Sequence, residues 1–419
     1  MIIPRLAILS LWNRRATALL SLAAIAVSVT LLLGVERLSS GARESFYNTV
    51  SGTDLIVGAR GGSLQLLLYS VFRMGTPTNN ISWESYRELA EHPAVAWTVP
   101  LSLGDSHRGF RVLGTSRDYF THYRYGRGQA LRLAGGQPFD DVFDAVLGAE
   151  VAASLDYRLD QQVVISHGVG AGFTDHEDKP FRVVGILAPT GTPVDRTVHV
   201  SLAGIEAIHI DWQDGAPPAP GQAMPADLVR RLDLTPAAIT AFMVGLESRL
   251  AIFGFQRHVN TYRAEPLMAI LPGVTLQELW SLIGVADTAL RLISGFVVLA
   301  GLMGMVAVIL ATLNERRREM AILRSVGARP WQVFGLLVLE AVVLALLGCG
   351  LGLALLYALL LTGTPWLADR FGLFLTIQPP GLYDLAVMGA VLGAALVLGA
   401  WPAWRAYRQS LADGLAVRL

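Results

Sequence analysis

Residues 292–329 read LISGFVVLAGLMGMVAVILATLNERRREMAILRSVGAR, an apolar run followed directly by a dense charged segment. The apolar part, residues 292–313, is long enough to cross a bilayer as a helix, which takes about 20 residues. The charged part predicts a short amphipathic helix with Met320, Leu323 and Val326 on one face and Gly327 at its end. Such a helix lies under a membrane or docks into a partner's groove, and a solvated basic loop that only sets topology is an equal alternative.

Three further stretches, residues 16–35, 333–361 and 385–401, are apolar enough to span a membrane. Only 16% of the 419 residues are charged, against about 25% in an ordinary soluble domain. The first stretch also has the preceding arginines of a secretory signal peptide, but its apolar run exceeds the usual length of about 7–15 residues. The sequence therefore predicts four membrane-spanning helices.

The arginines predict how these helices are oriented. Segments 1–15, 314–331 and 402–419 each carry more arginine than acidic residues, whereas residues 362–384 offer only Arg370 as a basic residue. By the positive-inside rule, both termini and the 314–331 segment are cytoplasmic, and the region 36–290 lies outside.

The region between the first two spans has a mixed α/β pattern. A helix is predicted to begin at Ser82 as N-cap, and β-rich segments bounded by Gly, Pro and Asp follow it. A helical pattern returns at Thr275 and continues into the second span, which predicts a stalk. The fold class expected is an α-helical membrane protein with four transmembrane helices plus a large mixed α/β extracytoplasmic domain between helices 1 and 2.

The expected segments follow one another along the chain without overlap. They are an N-terminal arm (1–15), helix 1 (16–35), the extracytoplasmic domain with its stalk (36–290), helix 2 (291–313), a cytoplasmic helix (314–331), helix 3 (332–361), a short outer loop (362–384), helix 4 (385–401) and a cytoplasmic tail (402–419).

Several function classes are disfavoured by simple counts. A Walker A loop needs Gly-Lys-Ser/Thr, but Lys179 is the only lysine among the 419 residues and Pro180 follows it. The 419 residues therefore contain no Walker A loop. The single cysteine, Cys349, excludes a disulfide scaffold, and 33 basic against 33 acidic residues give no reason to expect nucleic acid. We also find no catalytic motif, so we expect no enzymatic activity in this chain.

The segment 315–328, ERRREMAILRSVGA, resembles the coupling-helix signature of MacB/FtsX-type ABC transporter permeases, a group similar to the lipoprotein-releasing permeases. The family's following helix contains a glutamate, which corresponds here to Glu340. Further stretches resemble the family's N-terminal arm, periplasmic core domain and C-terminal ending. These are residues 7–15, 111–120, 146–153, 181–187 and 402–408.

The resemblance implies a permease subunit in a bacterial inner membrane that couples ATP hydrolysis in a separate ABC ATPase, which binds the ATP and Mg, to motion of a periplasmic domain. The partners it implies are a second permease chain, with a homodimer favoured, and membrane lipids, with a periplasmic adaptor or lipoprotein as a further possible partner. The substrate it implies is lipophilic or derived from the envelope, such as a lipoprotein, lipid, peptide or drug. Two alternatives remain: a non-transporting signal transmitter that activates a periplasmic partner, and a membrane-anchored binding module without an ATPase. The ATPase-coupling residues would be Glu315, Arg316, Arg317, Arg318, Glu319, Met320, Leu323, Arg324, Val326 and Gly327.

Polar and small residues within the spans form a second candidate group. A charge such as Glu340 inside a span is costly, so we expect either an inter-helix contact that couples motion or a side chain that snorkels or is protonated. Gly348 with Gly352, and Gly389 with Gly393, predict faces that permit close helix packing within the chain or at a dimer seam.

A third candidate is the apolar segment 64–72 soon after the first span. As an exposed surface it would contact a lipophilic substrate, and as a core helix it would be buried. The residues concerned are Leu66, Leu67, Leu68, Tyr69 and Phe72.

The external region also holds all eight histidines. His167, Asp175, His176, Glu177 and Asp178 could bind a divalent metal, as could His209 with Asp211. The alternative is a hydrated hairpin tip, and on balance we expect no metal site.

Overall fold

The computed structural model describes residues 15–49, 51–168, 176–212, 224–325, 327–371 and 377–408. For residues 312–321, 323, 368–371 and 406 it describes the backbone only. The chain divides into two compact units. One contains the chain up to Gly41, residues Ile283–Ala368 and residues Leu375–Leu419, and the other contains Ala42–Leu282 with Asp369–Phe374.

Eleven α-helices occur in the described part of the chain. They are α1 (Arg15–Thr49), α2 (Ser63–Ser70), α3 (Trp83–Ala90), α4 (Asp118–His122), α5 (Ala149–Ser154), α6 (Leu202–His209), α7 (Ala226–Val229), α8 (Ile252–Asn260), α9 (Pro272–Ser325), α10 (Pro330–Phe371) and α11 (Leu382–Tyr407).

Four of these helices, α1, α9, α10 and α11, are long and apolar enough to cross a membrane. They confirm the predicted number of spans. The helices extend beyond the apolar runs on which the prediction was based, because most of the flanking residues are compatible with a helix and the glycines among them, such as Gly41 and Gly284, do not end it. The first, for example, continues to Thr49.

The helical unit has its own apolar core, to which α1, α9, α10 and α11 all contribute. Glycine allows the closest approach: a Cβ at Gly352 would lie 2.7 Å from the Ala26 carbonyl oxygen on α1, and one at Gly348 would lie 2.6 Å from the Ile25 side chain. The Thr30 hydroxyl donates to the Gly352 carbonyl oxygen at 2.9 Å. The predicted packing role of this glycine pair therefore has a geometric basis between α1 and α10.

The α/β unit contains fourteen strands in its described residues. They are β1 (Leu55–Ala59), β2 (Ile81–Ser82), β3 (Val95–His107), β4 (Phe110–Thr115), β5 (Arg124–Tyr125), β6 (Gln129–Ala130), β7 (Leu133–Gly136), β8 (Asp144–Leu147), β9 (Gln162–Val163), β10 (Phe181–Leu187), β11 (Thr197–Ser201), β12 (Ala238–Ile239), β13 (Ala241–Leu246) and β14 (Leu267–Ile270).

Ten of the strands form one mixed sheet in the order β14-β1-β13-β3-β4-β11-β8-β10-β7, with β9 paired to β10. The β4–β11 and β8–β10 pairs are parallel, and the other pairs are antiparallel. All five residues of β1 are buried, as expected for a strand covered on both faces. This sheet with its helices confirms the predicted mixed α/β domain between the first two spans, and Ser82 caps α3 as predicted by accepting from the Ser85 amide.

The close approach of α1 and α10 predicts a strong effect of Gly352→Val. The added side chain would meet the backbone of α1, and overpacking of this kind costs about 1–3 kcal/mol. Gly350→Val is the matched control, since a Cβ at Gly350 has no described atom within 4 Å and both sites lie in the same helix. Thermal unfolding of the purified protein in detergent should show a lower midpoint for Gly352→Val only. Equal midpoints for the two variants would contradict this packing.

The buried His199 on β11 predicts acid sensitivity of the α/β unit. Burial, together with the positive charge of Arg73, lowers the pKa of His199 to about 3, although its Nδ1 lies 3.3 Å from the Val146 carbonyl oxygen. Between the ordinary value of about 6.5 and the folded value, the unfolded chain binds a proton that the folded chain does not. Stability is therefore lost as the pH falls, by up to about 1.4 kcal/mol per pH unit.

Replacement of His199 by phenylalanine should flatten this dependence. We expect the stability of the wild type, measured relative to His199→Phe, to be lower at about pH 5 than at about pH 8, because only the wild type loses stability through this group. Denaturant unfolding of the whole protein, followed by tryptophan fluorescence at both pH values, measures the difference. An unchanged pH slope in the variant would show that His199 is not the group responsible.

Candidate functional site

The predicted coupling segment forms the C-terminal turns of α9. The sequence predicted a short separate helix, but the backbone is helical without interruption from Pro272 to Ser325. The reason is local: residues 305–325 contain neither glycine nor proline and are rich in helix-forming residues. Gly327 adopts a φ of +104°, and its amide donates to the Arg324 carbonyl oxygen at 3.1 Å, so the helix ends where predicted.

The structure describes the backbone of nine of the ten predicted coupling residues, all in this one segment, but few of their side chains. Arg324 is half-buried and Gly327 is exposed, whereas Val326 lies outside the described residues. For Glu315, Arg316, Arg317, Arg318, Glu319, Met320 and Leu323 only the helical backbone is described. Their contact with an ATPase stays a prediction.

The candidate residues within the spans differ in whether they contact another helix. Glu340 is buried in α10 at 6% exposure, in keeping with a contact inside the helical unit. Gly348 and Gly352 meet α1 closely, but a Cβ at Gly389 or Gly393 on α11 would have no described atom within 4 Å. The second glycine pair therefore packs against no helix in the described part of this chain.

An ion-pair network that sequence reasoning missed joins three helices of the helical unit. Arg37 on α1 donates to Asp384 on α11, whose side chain is 4% exposed. Arg291 on α9 lies 3.0 Å from a Glu36 carboxylate oxygen and 2.8 Å from one of Asp287. The sequence contained a clue, since each of these charges directly flanks an apolar run, where partners in different helices can meet.

The apolar segment 64–72 does not form an exposed surface. Its helix, α2, packs on β1: Gly58 leaves so little room that a Cβ there would lie 2.4 Å from a Leu66 methyl group. The rings of Phe46 and Phe72 pack against each other at a tilt of 33°, with centroids 4.4 Å apart. The proposed substrate-contact residues therefore belong to the core of the α/β unit, with Leu68 half-buried and Leu66, Leu67, Tyr69 and Phe72 buried.

Three of the histidines converge, although not with the acidic partners that the sequence suggested. His167, His176 and His209 each offer a ring nitrogen, and all three nitrogens lie within 4.8 Å of one another. Their carboxylate neighbour is Asp105 on β3, which sequence reasoning missed even though an aspartate within a strand is unusual. Asp175 lies outside the described residues, and His176 is 1% exposed rather than at a hydrated tip.

The electrostatic surroundings of these histidines differ from one ring to the next. The hydrogen bond with Asp105 raises the pKa of His167. Burial, followed by repulsion from His209, lowers the pKa of His176 to about 4. Asp178 and Asp211, which the sequence offered as possible metal ligands, instead bind Lys179, and its ammonium group lies 2.5 Å and 2.9 Å from their oxygens.

Two family models match the chain, one for each part of this architecture. The MacB-like periplasmic core domain matches residues 18–224, and the FtsX-like permease C-terminal domain matches residues 291–411. These two matches, one to the helical unit and one mainly to the α/β unit, identify the class of this protein as the permease part of an ABC transporter. The chain belongs to the MacB/FtsX-type ABC transporter permeases, multi-pass bacterial membrane proteins.

Curated relatives carry the name macrolide export ATP-binding/permease protein MacB. The one from Bordetella avium is 26% identical over 84% of this chain, and the one from Azoarcus is 23% identical over 93%. The one from Nitrobacter winogradskyi is 35% identical over 31% of this chain and 19% of its own length. The chain spans about half the length of the first two relatives, 51% and 55% respectively.

Two solved structures are similar to part of the chain, each at 12% identity. The periplasmic region of MacB from Actinobacillus actinomycetemcomitans aligns with 55% of this chain and 92% of its own, with a TM-score of 0.33. The extracellular domain of the noncanonic ABC-type transporter YknZ from Gram-positive bacteria aligns with 52% of this chain and 99% of its own, with a TM-score of 0.30.

The buried ion pair between Arg37 and Asp384 predicts strong coupling in a double-mutant cycle. Arg37→Met or Asp384→Leu alone leaves a poorly solvated charge unpaired, and each should cost about 3 kcal/mol of stability. The double variant should cost much less than the sum of the two. Unfolding in detergent measures the stability of the wild type, the two single variants and the double variant.

The exposed pair Arg87–Glu91 is the matched control for this cycle. Its side chains are 65% and 74% exposed and lie 3.7 Å apart. An Arg87→Met/Glu91→Leu cycle should therefore show almost no coupling, because exposed pairs contribute little. Additive effects at Arg37 and Asp384 would contradict a structural role for that pair.

Proposed function

We propose that this permease couples ATP hydrolysis by a separate ABC ATPase subunit to movement of its external domain. ATP and Mg²⁺ would be bound by that subunit, which fits the single lysine of this sequence and its lack of a Walker A loop. The catalytic work of hydrolysis would then lie wholly in the partner, and this chain would be the mechanical part.

The proposed orientation follows the arginines. Both ends of the described chain and the C-terminal turns of α9 would face the cytoplasm, and the α/β unit would face the periplasm of a bacterial inner membrane. Arg316, Arg317 and Arg318 stand together in the segment assigned to the cytoplasm, where arginine is enriched in membrane proteins.

The observation that carries the mechanical proposal is the continuity of α9. This helix contains 54 residues, which corresponds to a length of about 80 Å. It includes the stalk residues that precede the second span, the span itself and the predicted coupling residues. A displacement of its cytoplasmic end by an ATPase would therefore reach the external domain without passing through a flexible loop.

We propose a lipophilic or envelope-derived substrate, with drug-like molecules as one member of that class. The relatives are named for macrolide export, which supports an amphiphilic cargo. The substrate surface would have to be formed by residues other than the α2 segment, since that helix is buried. A homodimer is proposed because the Gly389 and Gly393 face of α11 has room for a close helix neighbour.

Charge reversal in the coupling segment tests the proposal. The tagged full-length protein should carry an ABC ATPase through mild purification from native membranes. Arg317→Glu/Arg318→Glu should reduce the bound ATPase at least about tenfold, because interface charge pairs are worth more than 1.4 kcal/mol. Arg405→Glu, an exposed arginine in the last turns of α11, is the charge-matched control and should retain the ATPase.

Mass spectrometry of the same preparations distinguishes the outcomes. An ATPase accompanied by an enriched lipid, lipoprotein or drug supports export or extraction. An ATPase accompanied by a periplasmic enzyme and no cargo would replace the transport proposal with signal transmission. If no ATPase appears even after crosslinking, or if the double variant keeps it, the coupling assignment is wrong.

A further inference from the structure

Four potential metal ligands meet at one place in the α/β unit, outside everything assigned to transport. They come from four separate parts of the chain: Asp105 on β3, His167 after β9, His176 shortly before β10, and His209 at the end of α6. Three imidazoles and one carboxylate are a ligand set suited to Zn²⁺ and related divalent transition metals.

The spacing of the ligand atoms approaches that of a tetrahedral site. His167 Nδ1 lies 3.0 Å from His209 Nε2 and 3.4 Å from Asp105 Oδ1, and His209 Nε2 lies 3.7 Å from the same carboxylate oxygen. Ligand atoms about 2.0–2.1 Å from a tetrahedral zinc ion are separated from one another by about 3.3 Å. A single ion at the centre of these three atoms would therefore be within bonding distance of all of them.

The fourth ligand, His176, is a buried imidazole whose nitrogens are unpaired among the described residues. It is 1% exposed, and neither Nδ1 nor Nε2 has a hydrogen-bond partner among the described residues. A buried polar group without a partner is costly, and such groups in native proteins call for an explanation such as a bound ion. One of its nitrogens lies within 4.8 Å of the His167 and His209 ligand atoms, so a small ring movement would complete the site.

The surrounding hydrogen bonds hold the ligands in the state that a metal requires. His209 Nδ1 donates to the Ile205 carbonyl oxygen at 2.8 Å, which leaves the Nε2 lone pair free to face the site. A ligating histidine is commonly oriented by such a bond from its other nitrogen. Trp212 covers the cluster, with its ring centroid 4.6 Å from that of His176 and 5.2 Å from that of His167.

Backbone contacts and Lys179 fix the segments that carry the ligands. Ser106 and Ser166 exchange backbone hydrogen bonds of 3.0 Å and 2.8 Å, which align Asp105 with His167. The His176 amide donates to the Ile165 carbonyl oxygen at 2.9 Å. The buried Lys179 ammonium binds Asp211, two residues after His209, and so ties the His176 segment to the end of α6.

We propose that His167, His176, His209 and Asp105 form a binding site for one divalent transition metal of the Zn²⁺ class. Four protein ligands would fill a tetrahedral coordination sphere, so the site is structural rather than catalytic. The ion would clamp the β9–β10 connection and the end of α6 onto β3. The exposed side of His167, 46% exposed, gives the ion access from solution. The proposal does not depend on the direction or substrate of transport.

The test uses the full-length protein, purified in detergent with a tag that contains no histidine and stripped with a chelator. Titration with Zn²⁺ should show one site per chain, and binding should raise the unfolding temperature. Titration with Co²⁺ should give the intense visible absorption of a tetrahedral ion. His167→Ala, at the most exposed ligand, and His209→Ala should each weaken Zn²⁺ binding more than about tenfold, because loss of a ligand costs more affinity than loss of a residue that only orients a ligand.

His258→Ala is the matched control, because His258 lies in the same unit beside another histidine, His92, at a ring-centroid distance of 4.9 Å. It should bind Zn²⁺ as the wild type does. Unchanged circular dichroism of His167→Ala distinguishes ligand loss from misfolding. The proposal is overturned if the wild type binds no more Zn²⁺ than His167→Ala, if His258→Ala weakens binding equally, or if Co²⁺ gives only the weak spectrum of an octahedral ion.

Discussion

A lipid bilayer offers no hydrogen bonds to a polypeptide backbone, and this constraint governs the architecture of the chain. Four long helices satisfy most of their own amides and carbonyls, and several hydroxyl side chains within them bond to backbone carbonyls of the same or a neighbouring helix. The Ser28 hydroxyl, for instance, contacts the carbonyl oxygens of Ala24 and Val297, at 2.7 Å and 3.2 Å. Because lipid tails provide no hydrophobic drive for helix association, close packing at Gly348 and Gly352 and paired charges such as Arg37–Asp384 must hold the helical unit together.

The α/β unit is stabilised differently, because its core forms where both faces of one sheet are covered. The β4–β11 and β8–β10 pairs are parallel and join strands that are distant in sequence. The same topology brings Asp105, His167, His176 and His209 together from positions spread over more than a hundred residues. The proposed metal ion would hold the conformation of this domain. Clamping the β9–β10 connection would stiffen the domain that α9 is proposed to move.

Features set by residues adjacent along the chain could be predicted from sequence, whereas features set by tertiary contacts could not. Long apolar runs, the Ser82 cap and the Gly327 helix end depend on local propensity and on contact with a uniform solvent, so they could be predicted. Sequence left open whether α2 is an exposed surface or core, because its apolar character does not tell whether lipid, substrate or a sheet covers it; the structure shows that it is buried. The partners of the histidines could not be predicted for a similar reason: Asp178 and Asp211, their acidic neighbours in sequence, bind Lys179 instead.

The amino-acid sequence by itself determined the membrane class, the four spans and the resemblance of residues 315–328 to a coupling helix, because each depends on residues adjacent along the chain. Tertiary structure alone decided that α2 is core and that Arg37 meets Asp384. It also decided that an aspartate of β3 joins three histidines from other segments. These features require specific distances between residues remote in sequence, and such distances are set by strand order and helix packing rather than by local composition.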